Sequence, residues 1–209
     1  MPVTICWSAK GGSGTTVVAA ALALGCPTSS LLVDLDGELP MVLGLPDPGG
    51  QGVADWLASD ADAAALGDLG VMAERTTTLV PRGTTEVDRT SPRWPELLAW
   101  LAGQGHVVVD AGTRPPVVER PPPGVRSLLV TRPCYVSLRR AMAVAERPDG
   151  VVLVVEPGRA LGSRDVEHAL GAPVVARVSH DPAIARAVDA GLLRARLPRL
   201  LRRELRGAA

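Results

Sequence analysis

Near the start of this sequence, a glycine-rich run separates an apolar stretch from a stretch of small and aliphatic residues. The apolar stretch is Val3-Thr4-Ile5-Cys6-Trp7, the run is Lys10-Gly11-Gly12-Ser13-Gly14-Thr15-Thr16, and residues 16–24 are then mostly Val, Ala and Leu. This order predicts a strand, a glycine loop and a helix. Such a loop directs successive backbone N–H groups and a helix N-terminus into one concavity, which is a favourable place for phosphate.

Lys10 opens this glycine loop and is the only lysine among the 22 Lys and Arg residues of the chain. An ammonium is a compact point charge, whereas a guanidinium is a planar fork, so the two are not interchangeable where a ligand is bound. The position of this single lysine therefore indicates a specific contact to an anion.

Composition limits the class of protein. The 209 residues are 46% apolar, enough for the core of one α/β domain spanning residues 1–209. The formal net charge of the chain is zero. Because residues 192–209 are basic, the rest of the chain carries a compensating excess of acidic residues. No sequence-specific nucleic-acid partner is therefore expected. Three cysteines, without metal-ligand spacing, fit a reduced, cytoplasmic compartment.

Short apolar runs alternate with helical patterns along the chain, which is typical of a mainly parallel sheet with helices on both faces. The predicted architecture is therefore an α/β three-layer sandwich with a mainly parallel central sheet. Strands are predicted near residues 3–7, 30–34, 77–80, 106–110, 126–131, 151–155 and 174–178. Helices are predicted after Gly14 and over residues 92–101, 137–145, 163–170 and 182–190. The proline-rich residues 114–124 are predicted to form an exposed loop.

Acidic residues follow two of the predicted strands. Asp34 and Asp36 come at the end of the second strand, and Asp110 ends the apolar run His106-Val107-Val108-Val109. Parallel strands bring their carboxyl ends to one edge of a sheet, beside the glycine loop. Carboxylates placed there can hold a magnesium ion or orient an attacking water.

With these motifs in this order, the chain resembles the ParA/MinD group of P-loop ATPases with a deviant Walker A motif, whose glycine loop reads K-G-G-x-G-K-[ST]. The similarity extends over nearly the whole length. Residues 31–36 resemble the second strand and first switch of that group, residues 107–112 its Walker B strand and second switch, and residues 178–183 the loop that borders adenine. The resemblance implies a P-loop NTPase fold with ATP and Mg²⁺ as cofactors.

The resemblance also implies roles for individual residues. Lys10 would reach the phosphates of a partner subunit in a homodimer, and Asp36 would orient the hydrolytic water, which makes these two the candidate catalytic residues. Thr16, Asp34 and Asp110 would hold magnesium. The nucleotide would be bound by Lys10, Gly11, Gly12, Ser13, Gly14, Thr15, Thr16, Val17, Ser179 and Asp181.

The chain departs from the family pattern at Thr15, where the second lysine of the loop is expected. A hydroxyl cannot neutralise charge on phosphoryl oxygens, and loss of one such stabiliser lowers the rate by about 10²- to 10³-fold. The protein is therefore expected to be at most a slow ATPase. Arg114 is a candidate to replace the missing charge. The chain also has no Asn for an adenine contact, and Glu156 lies near the position expected for it.

The altered loop and the turn Glu156-Pro157-Gly158-Arg159 are most similar to the TadZ/CpaE branch, which places pilus or secretion machinery. The resemblance then implies an ATP-dependent dimer switch with a protein partner that is not identified by the sequence. Two alternatives remain: a scaffold of the same fold that binds no nucleotide, and a P-loop synthetase of the dethiobiotin or cobyrinate type, which needs a lysine at position 15.

The C-terminal residues 192–206 place leucines on one side and arginines on the other. One interpretation is peripheral binding to the inner face of an anionic membrane, since each basic residue contributes about 1 kcal/mol there. The other is a final helix that packs Leu197, Leu200, Leu201 and Leu205 on the sheet. The second interpretation is favoured because Pro198 interrupts the segment and no Trp or Phe is present.

Overall fold

A computed structural model describes residues 3–118, 120–201 and 203–209, apart from the side chains of residues 198–200. The strands in these ranges are β1 (Val3–Trp7), β2 (Ser30–Asp34), β3 (Val71–Glu74), β4 (Thr77–Val80), β5 (His106–Asp110), β6 (Val125–Thr131), β7 (Gly150–Val155) and β8 (Val174–Ser179). The helices are α1 (Thr15–Leu24), α2 (Leu39–Leu43), α3 (Val53–Leu57), α4 (Trp94–Ala102), α5 (Tyr135–Met142), α6 (Ser163–Leu170), α7 (Pro182–Asp189) and α8 (Leu193–Leu201), with a 3₁₀ helix at Ala63–Leu69.

All of these strands belong to one eight-stranded sheet in the order β3-β4-β2-β5-β1-β6-β7-β8. Every neighbouring pair is parallel except β3 and β4, which are antiparallel. β1 lies between β5 and β6, so the order of connections reverses at β1. A crevice forms at such a point outside the carboxyl ends of the strands, and ligands bind there in open α/β sheets.

Successive residues of a strand point to opposite sides of the sheet, so the apolar strands present side chains on both faces. Helices pack on each face and cover them. On one face, Val108 of β5 packs in a core with α1, α2, α7 and α8. On the other face, Val107 and Val109 pack in a second core with α3, α4, α5 and α6. The predicted three-layer α/β architecture with a mainly parallel central sheet is therefore confirmed.

Local sequence explains several helix boundaries. Pro182 opens α7, and the Asp181 carboxylate accepts a hydrogen bond from the backbone N–H of Ala183 at 2.8 Å. At α6, the Asp165 carboxylate accepts from the N–H of Gly162 at 2.7 Å. Helix α1 has no such side-chain cap and begins directly after Gly14, at the end of the glycine loop.

Four elements were not predicted: the antiparallel edge strand β3, the two short helices α2 and α3, and the 3₁₀ helix Ala63–Leu69. Only Ala73 of β3 is buried, so the strand carries little periodic signal. Each of the two helices has five residues, less than two turns. The proline-rich segment is a loop, as predicted, since residues 114–118 and 120–124 form neither helix nor strand, but Pro115 and Pro116 are buried rather than exposed.

The C-terminal segment packs against the sheet layer that contains α1. Leu193, Leu197, Leu201 and Leu205 are all buried in that core. Of the other predicted packing residues, Leu200 lies outside the described side chains, as do Pro198 and Arg199, and nothing is described for Arg202. The observed burial supports the core-helix interpretation, because these four leucines are packed in the core and are not available to a membrane. Within the described ranges, no helix is both long and apolar enough to cross a bilayer.

Candidate functional site

The ends of β1, β2 and β5 place the predicted acidic residues together. Asp34 of β2 is paired in register with Asp110 of β5, and Asp110 is also opposite Cys6 of β1. Just beyond the strands, the backbone N–H of Ser8 donates to the carbonyl of Gly112 at 2.8 Å. The glycine loop and the segment that follows Asp110 are therefore joined, as the sequence predicts.

The glycine loop folds into an open turn stabilised by two serines. The hydroxyls of Ser13 and Ser8 donate to the carbonyl of Lys10 at 2.7 and 3.1 Å. Gly12 and Gly14 have φ values of +74° and +93°, a region that favours glycine, and open space surrounds both at the Cβ position.

The backbone N–H groups of residues 11–16 donate no hydrogen bond within the part of the chain that the structure describes. They lie at the N-terminus of α1, whose dipole favours an anion. This run of unsatisfied donors includes the predicted nucleotide-binding residues Gly11, Gly12, Ser13, Gly14, Thr15 and Thr16. An oxyanion such as phosphate would satisfy several of them at once.

Lys10 is partly buried at the edge of this turn. Its ammonium belongs to none of the salt bridges found among the described residues. It lies close enough to Cys134, the residue before α5, to help lower the pKa of that thiol, after the larger effect of Ser137. The charge of Lys10 is thus held near the loop and is available to a ligand or a second subunit.

Asp110 is fully buried, and burial raises the pKa of its carboxyl to about 7. The Thr16 hydroxyl and the Gly112 N–H oppose this shift, whereas the carboxylates of Asp34 and Asp36 add to it. Its Oδ1 accepts a hydrogen bond from the N–H of Gly112 at 3.1 Å. Its Oδ2 has no hydrogen-bond partner among the described residues, because the nearby Thr16 hydroxyl does not reach it with hydrogen-bond geometry. A buried oxygen without a partner is unfavourable and is suited to a bound cation or its water.

Asp34 is also fully buried, and burial raises its pKa to about 6. Its Oδ1 accepts from the N–H groups of Asp36 and Gly37 at 3.0 and 2.7 Å, and its Oδ2 accepts from Leu39 at 3.1 Å. Both oxygens are therefore used to shape the loop between β2 and α2. This geometry favours a positioning role for Asp34 over direct metal ligation.

Asp36 is partly exposed in that loop and faces Gly112. The guanidinium of Arg82 donates to its backbone carbonyl at 3.2 Å, so the carboxylate is left for other partners. Asp36, the predicted water-orienting residue, thus lies where the loop after β2 meets the loop after β5.

The predicted magnesium residues do not form a ready-made cage. Among the described residues, no three His, Cys, Asp or Glu side chains are arranged to hold a metal ion. Magnesium, however, commonly binds through one or two protein groups together with waters and substrate phosphates. The unpartnered Oδ2 of Asp110, with the Thr16 hydroxyl near it, fits that kind of site.

The remaining predicted nucleotide residues meet at a cavity of about 240 Å³ beside the glycine loop. Its lining includes Ser13, Gly14, Val17, Ser179 and Asp181, from two separate parts of the chain, with valines 18, 154 and 178 as its apolar wall. Ser179 donates from its N–H and hydroxyl to Glu204, at 3.2 and 2.8 Å. Because Asp181 also caps α7, both residues have structural roles at the edge of this cavity.

An ion-pair cluster beside the cavity was not predicted. Glu156 accepts from Arg132 at 2.5 Å and from Nε of Arg159 at 2.7 Å. The hydrogen bond from Arg159 is the main cause that lowers the pKa of Glu156. The carboxylate near the expected adenine position is therefore already paired, and Arg132, which lines the cavity, is the side chain presented to a ligand.

A larger cavity, of about 420 Å³, is lined in part by Asp34 and lies between the loop after β2 and the loop after β4. Its lining includes Gly37, Met41, Gly50 and Arg82, but no residue of the glycine loop. Of these two cavities, the smaller one is lined by residues of the glycine loop with unsatisfied N–H groups, Ser13 and Gly14, so it is the better suited to an anion.

Comparison of the sequence with protein-family models and with curated proteins finds no match. The fold does match solved structures. The septum site-determining protein MinD from Pyrococcus horikoshii OT3, complexed with Mg-ADP, is 22% identical over 96% of this chain and 93% of its own, with a TM-score of 0.73.

Two further structures agree. A ParA family ATPase from Chlorobium tepidum TLS is 21% identical over 97% of both chains, with a TM-score of 0.71. The cell division ATPase MinD of Pyrococcus furiosus is 24% identical over 100% of this chain and 99% of its own, with a TM-score of 0.71. The chain therefore has the fold of the MinD and ParA family ATPases.

Proposed function

We propose that this chain is a nucleotide-binding protein of the ParA/MinD type that acts as an ATP-dependent dimer switch. The observation that carries the proposal is the row of unsatisfied N–H groups over residues 11–16, at the start of α1 and beside Asp36 and Asp110. Such a row is suited to successive phosphate oxygens. The fold shared with MinD and ParA ATPases supports the same assignment.

In this proposal the base of ATP occupies the cavity of about 240 Å³, next to Val17 and Arg132. The triphosphate lies along the glycine loop, and Mg²⁺ is held by Thr16 and Asp110. Asp34 keeps the acidic loop in place through its backbone hydrogen bonds. Bound Mg²⁺ would supply charge neutralisation for the phosphates, and it would also keep the buried Asp110 ionised.

Hydrolysis is proposed to be slow. Asp36 is placed to orient a water, but Thr15 supplies only a neutral hydroxyl where a P-loop carries a lysine that contacts the phosphates. Slow turnover is compatible with a switch, because nucleotide binding alone can shift an equilibrium between monomer and dimer.

The biological role we propose is the positioning or assembly of a cellular machine from the cytoplasm, by one domain formed by residues 1–209. The Thr15 substitution and the turn over residues 156–159 resemble the TadZ/CpaE branch, so the machine proposed is a pilus or secretion apparatus. A separate protein partner would then read the nucleotide state.

Dimerisation tests this function. Light scattering of the wild-type chain should show a shift from monomer to dimer with Mg-ATP and no shift with Mg-ADP. Lys10→Ala should abolish the dimer if its ammonium reaches the partner's phosphates, while the melting temperature stays unchanged. Arg75→Ala is the matched control, since Arg75 is an exposed cation in the turn between β3 and β4.

The second candidate is a scaffold of the same fold that binds no nucleotide. Two observations favour it: Thr15 removes a phosphate contact, and Glu156 is paired with Arg132 and Arg159 and cannot readily contact a base. A dimer that forms equally well without nucleotide, and that Lys10→Ala leaves intact, would support the scaffold.

A further inference from the structure

Arg89 lies in the loop between β4 and α4 and is tied to the segment that follows Asp110. Its backbone carbonyl accepts a hydrogen bond from the N–H of Val117 at 3.0 Å. Its Nη1 donates to the backbone carbonyl of Arg114. One nitrogen of the Arg89 side chain is thus anchored to Arg114, which lies four positions after Asp110 in the sequence.

This anchoring holds the Arg89 guanidinium within electrostatic range of the acidic site. The side chain is partly buried, and burial lowers its pKa, an effect that the charges of Asp36 and Asp110 oppose. Arg89 nevertheless belongs to none of the salt bridges among the described residues, and only Nη1 is engaged in a hydrogen bond there. A guanidinium stays protonated in proteins, so a cation with spare donors lies within electrostatic range of both carboxylates without being paired to either.

The proposed nucleotide would need such a cation. The site already holds Asp34, Asp36 and Asp110, and a triphosphate adds further negative charge. At Thr15, where a P-loop lysine would contact the β and γ phosphates, only a hydroxyl is present. Lys10 stands at the other end of the loop sequence, where its charge acts on Cys134.

We propose that Arg89 supplies the positive charge that Thr15 lacks, by contacting the terminal phosphate of a bound nucleoside triphosphate from the β4–α4 loop. This inference rests on the proposed function and names a further residue of the same site. It makes the site specific for a triphosphate over a diphosphate, because only the terminal phosphate would extend toward Asp36 and Asp110.

Two other arginines are less suited to this contact. The Arg114 side chain, the candidate from the sequence, is exposed, and its backbone carbonyl serves as the anchor for Arg89. Arg82 donates to the carbonyl of Asp36 and lies against Gly37, on the side of the larger cavity.

Calorimetric titration with Mg-ATP and Mg-ADP tests the inference. We expect Arg89→Gln to weaken ATP binding by about tenfold or more, since a hydrogen bond to a charged group is being removed, and to change ADP binding by less than about threefold. Adding Thr15→Lys to Arg89→Gln should restore ATP affinity. Arg75→Gln, the exposed control, should change neither affinity.

Each outcome decides between this inference and the function on which it rests. If the wild-type chain binds neither nucleotide, the proposed function fails and the inference fails with it. If the wild-type chain binds ATP and Arg89→Gln binds it equally well, only the role of Arg89 is overturned. Equal losses for ATP and ADP together with a lower melting temperature would show that Arg89 merely holds its loop.

A second variant applies if Arg89→Gln does not fold. Thr15→Lys alone, in the wild-type background, should raise ATP affinity by less than about threefold, because the charge is already supplied by Arg89. A rise of about tenfold or more would show that no residue of the wild-type chain supplies this positive charge, and would overturn the inference.

Discussion

The carboxylate of Asp36 lies directly against Gly112: a Cβ added to Gly112 would come within 2.2 Å of Asp36 Oδ1. Gly112 has a φ of +62°, so both the contact and the backbone conformation require glycine there. Through this contact the loop after β2 touches the loop after β5. A side chain at position 112 would therefore displace one acidic loop of the proposed site from the other.

Gly112→Ala should push these two loops apart. An alanine at positive φ costs about 1–2 kcal/mol, and the overlap with Asp36 adds to that cost. Gly171→Ala is the matched control, because Gly171 has a φ of +65° and open space at the Cβ position. We expect Gly112→Ala to lower both the melting temperature and ATP affinity more than the control does. Equal effects of the two variants would contradict the contact.

Asp110→Asn should make the nucleotide-free protein less sensitive to pH. Burial raises the pKa of Asp110 to about 7, so the folded state retains a proton that the unfolded state releases near pH 4. The wild-type chain should lose stability as the pH rises from about 4 to about 7, and the variant should lose less. Scanning calorimetry should show that the melting temperature of the variant relative to wild type is a few °C higher at pH 8 than at pH 5. A gain of the same size at both pH values would contradict the shift.

Leu197→Ala should destabilise the fold by about 2–5 kcal/mol, the usual effect of removing a fully buried leucine side chain. Leu192→Ala should have little effect, since that side chain is 45% exposed. Urea denaturation checks the difference in the free energy of unfolding. Under the membrane interpretation, the opposite result is expected: unchanged stability of Leu197→Ala and weaker binding to anionic vesicles.

Asp55→Ala should release the loop after β4. Burial would raise the pKa of Asp55, but hydrogen bonds from Thr84, Gly52 and Thr85 outweigh it and lower the pKa to about 2. The carboxylate therefore stabilises the fold above about pH 4, and this contribution is lost as the pH falls toward 2. We expect the variant to be less stable by about 1 kcal/mol at pH 7 and nearly equal to wild type at pH 2.

Asp60→Ala provides the control for that experiment. Asp60 is exposed in the same region and makes no hydrogen bond within the described residues. Its replacement should leave the unfolding free energy unchanged at both pH values. A difference between Asp55→Ala and wild type that persists at pH 2 would show that the loop is held by something other than the ionised carboxylate.

The sequence was most informative where local pattern and burial coincide. β5 was predicted over residues 106–110 and is found as His106–Asp110, because a run of valines buried on both faces has no other stable place than an inner parallel strand. The leucine spacing of the C-terminal segment likewise indicated a packed helix. The glycine loop was recognisable because its residues are consecutive.

The parts that were missed depend on contacts between distant residues. Arg89 follows no motif, and its nearness to the charges of Asp36 and Asp110 depends on its hydrogen bonds with residues 114 and 117. The pairing of Glu156 with Arg132 joins residues 24 apart, on the loops after neighbouring strands. Strand β3 is an edge strand of four residues, too short for a periodic pattern.

Equilibrium binding of Mg-ATP to the purified chain, measured by calorimetry, tests the central claim most directly. The unsatisfied N–H groups of the glycine loop predict binding in about the micromolar range, equivalent to about −8 kcal/mol. No binding up to about millimolar ATP would contradict a nucleotide switch and would leave the fold as a scaffold whose function lies in its protein contacts.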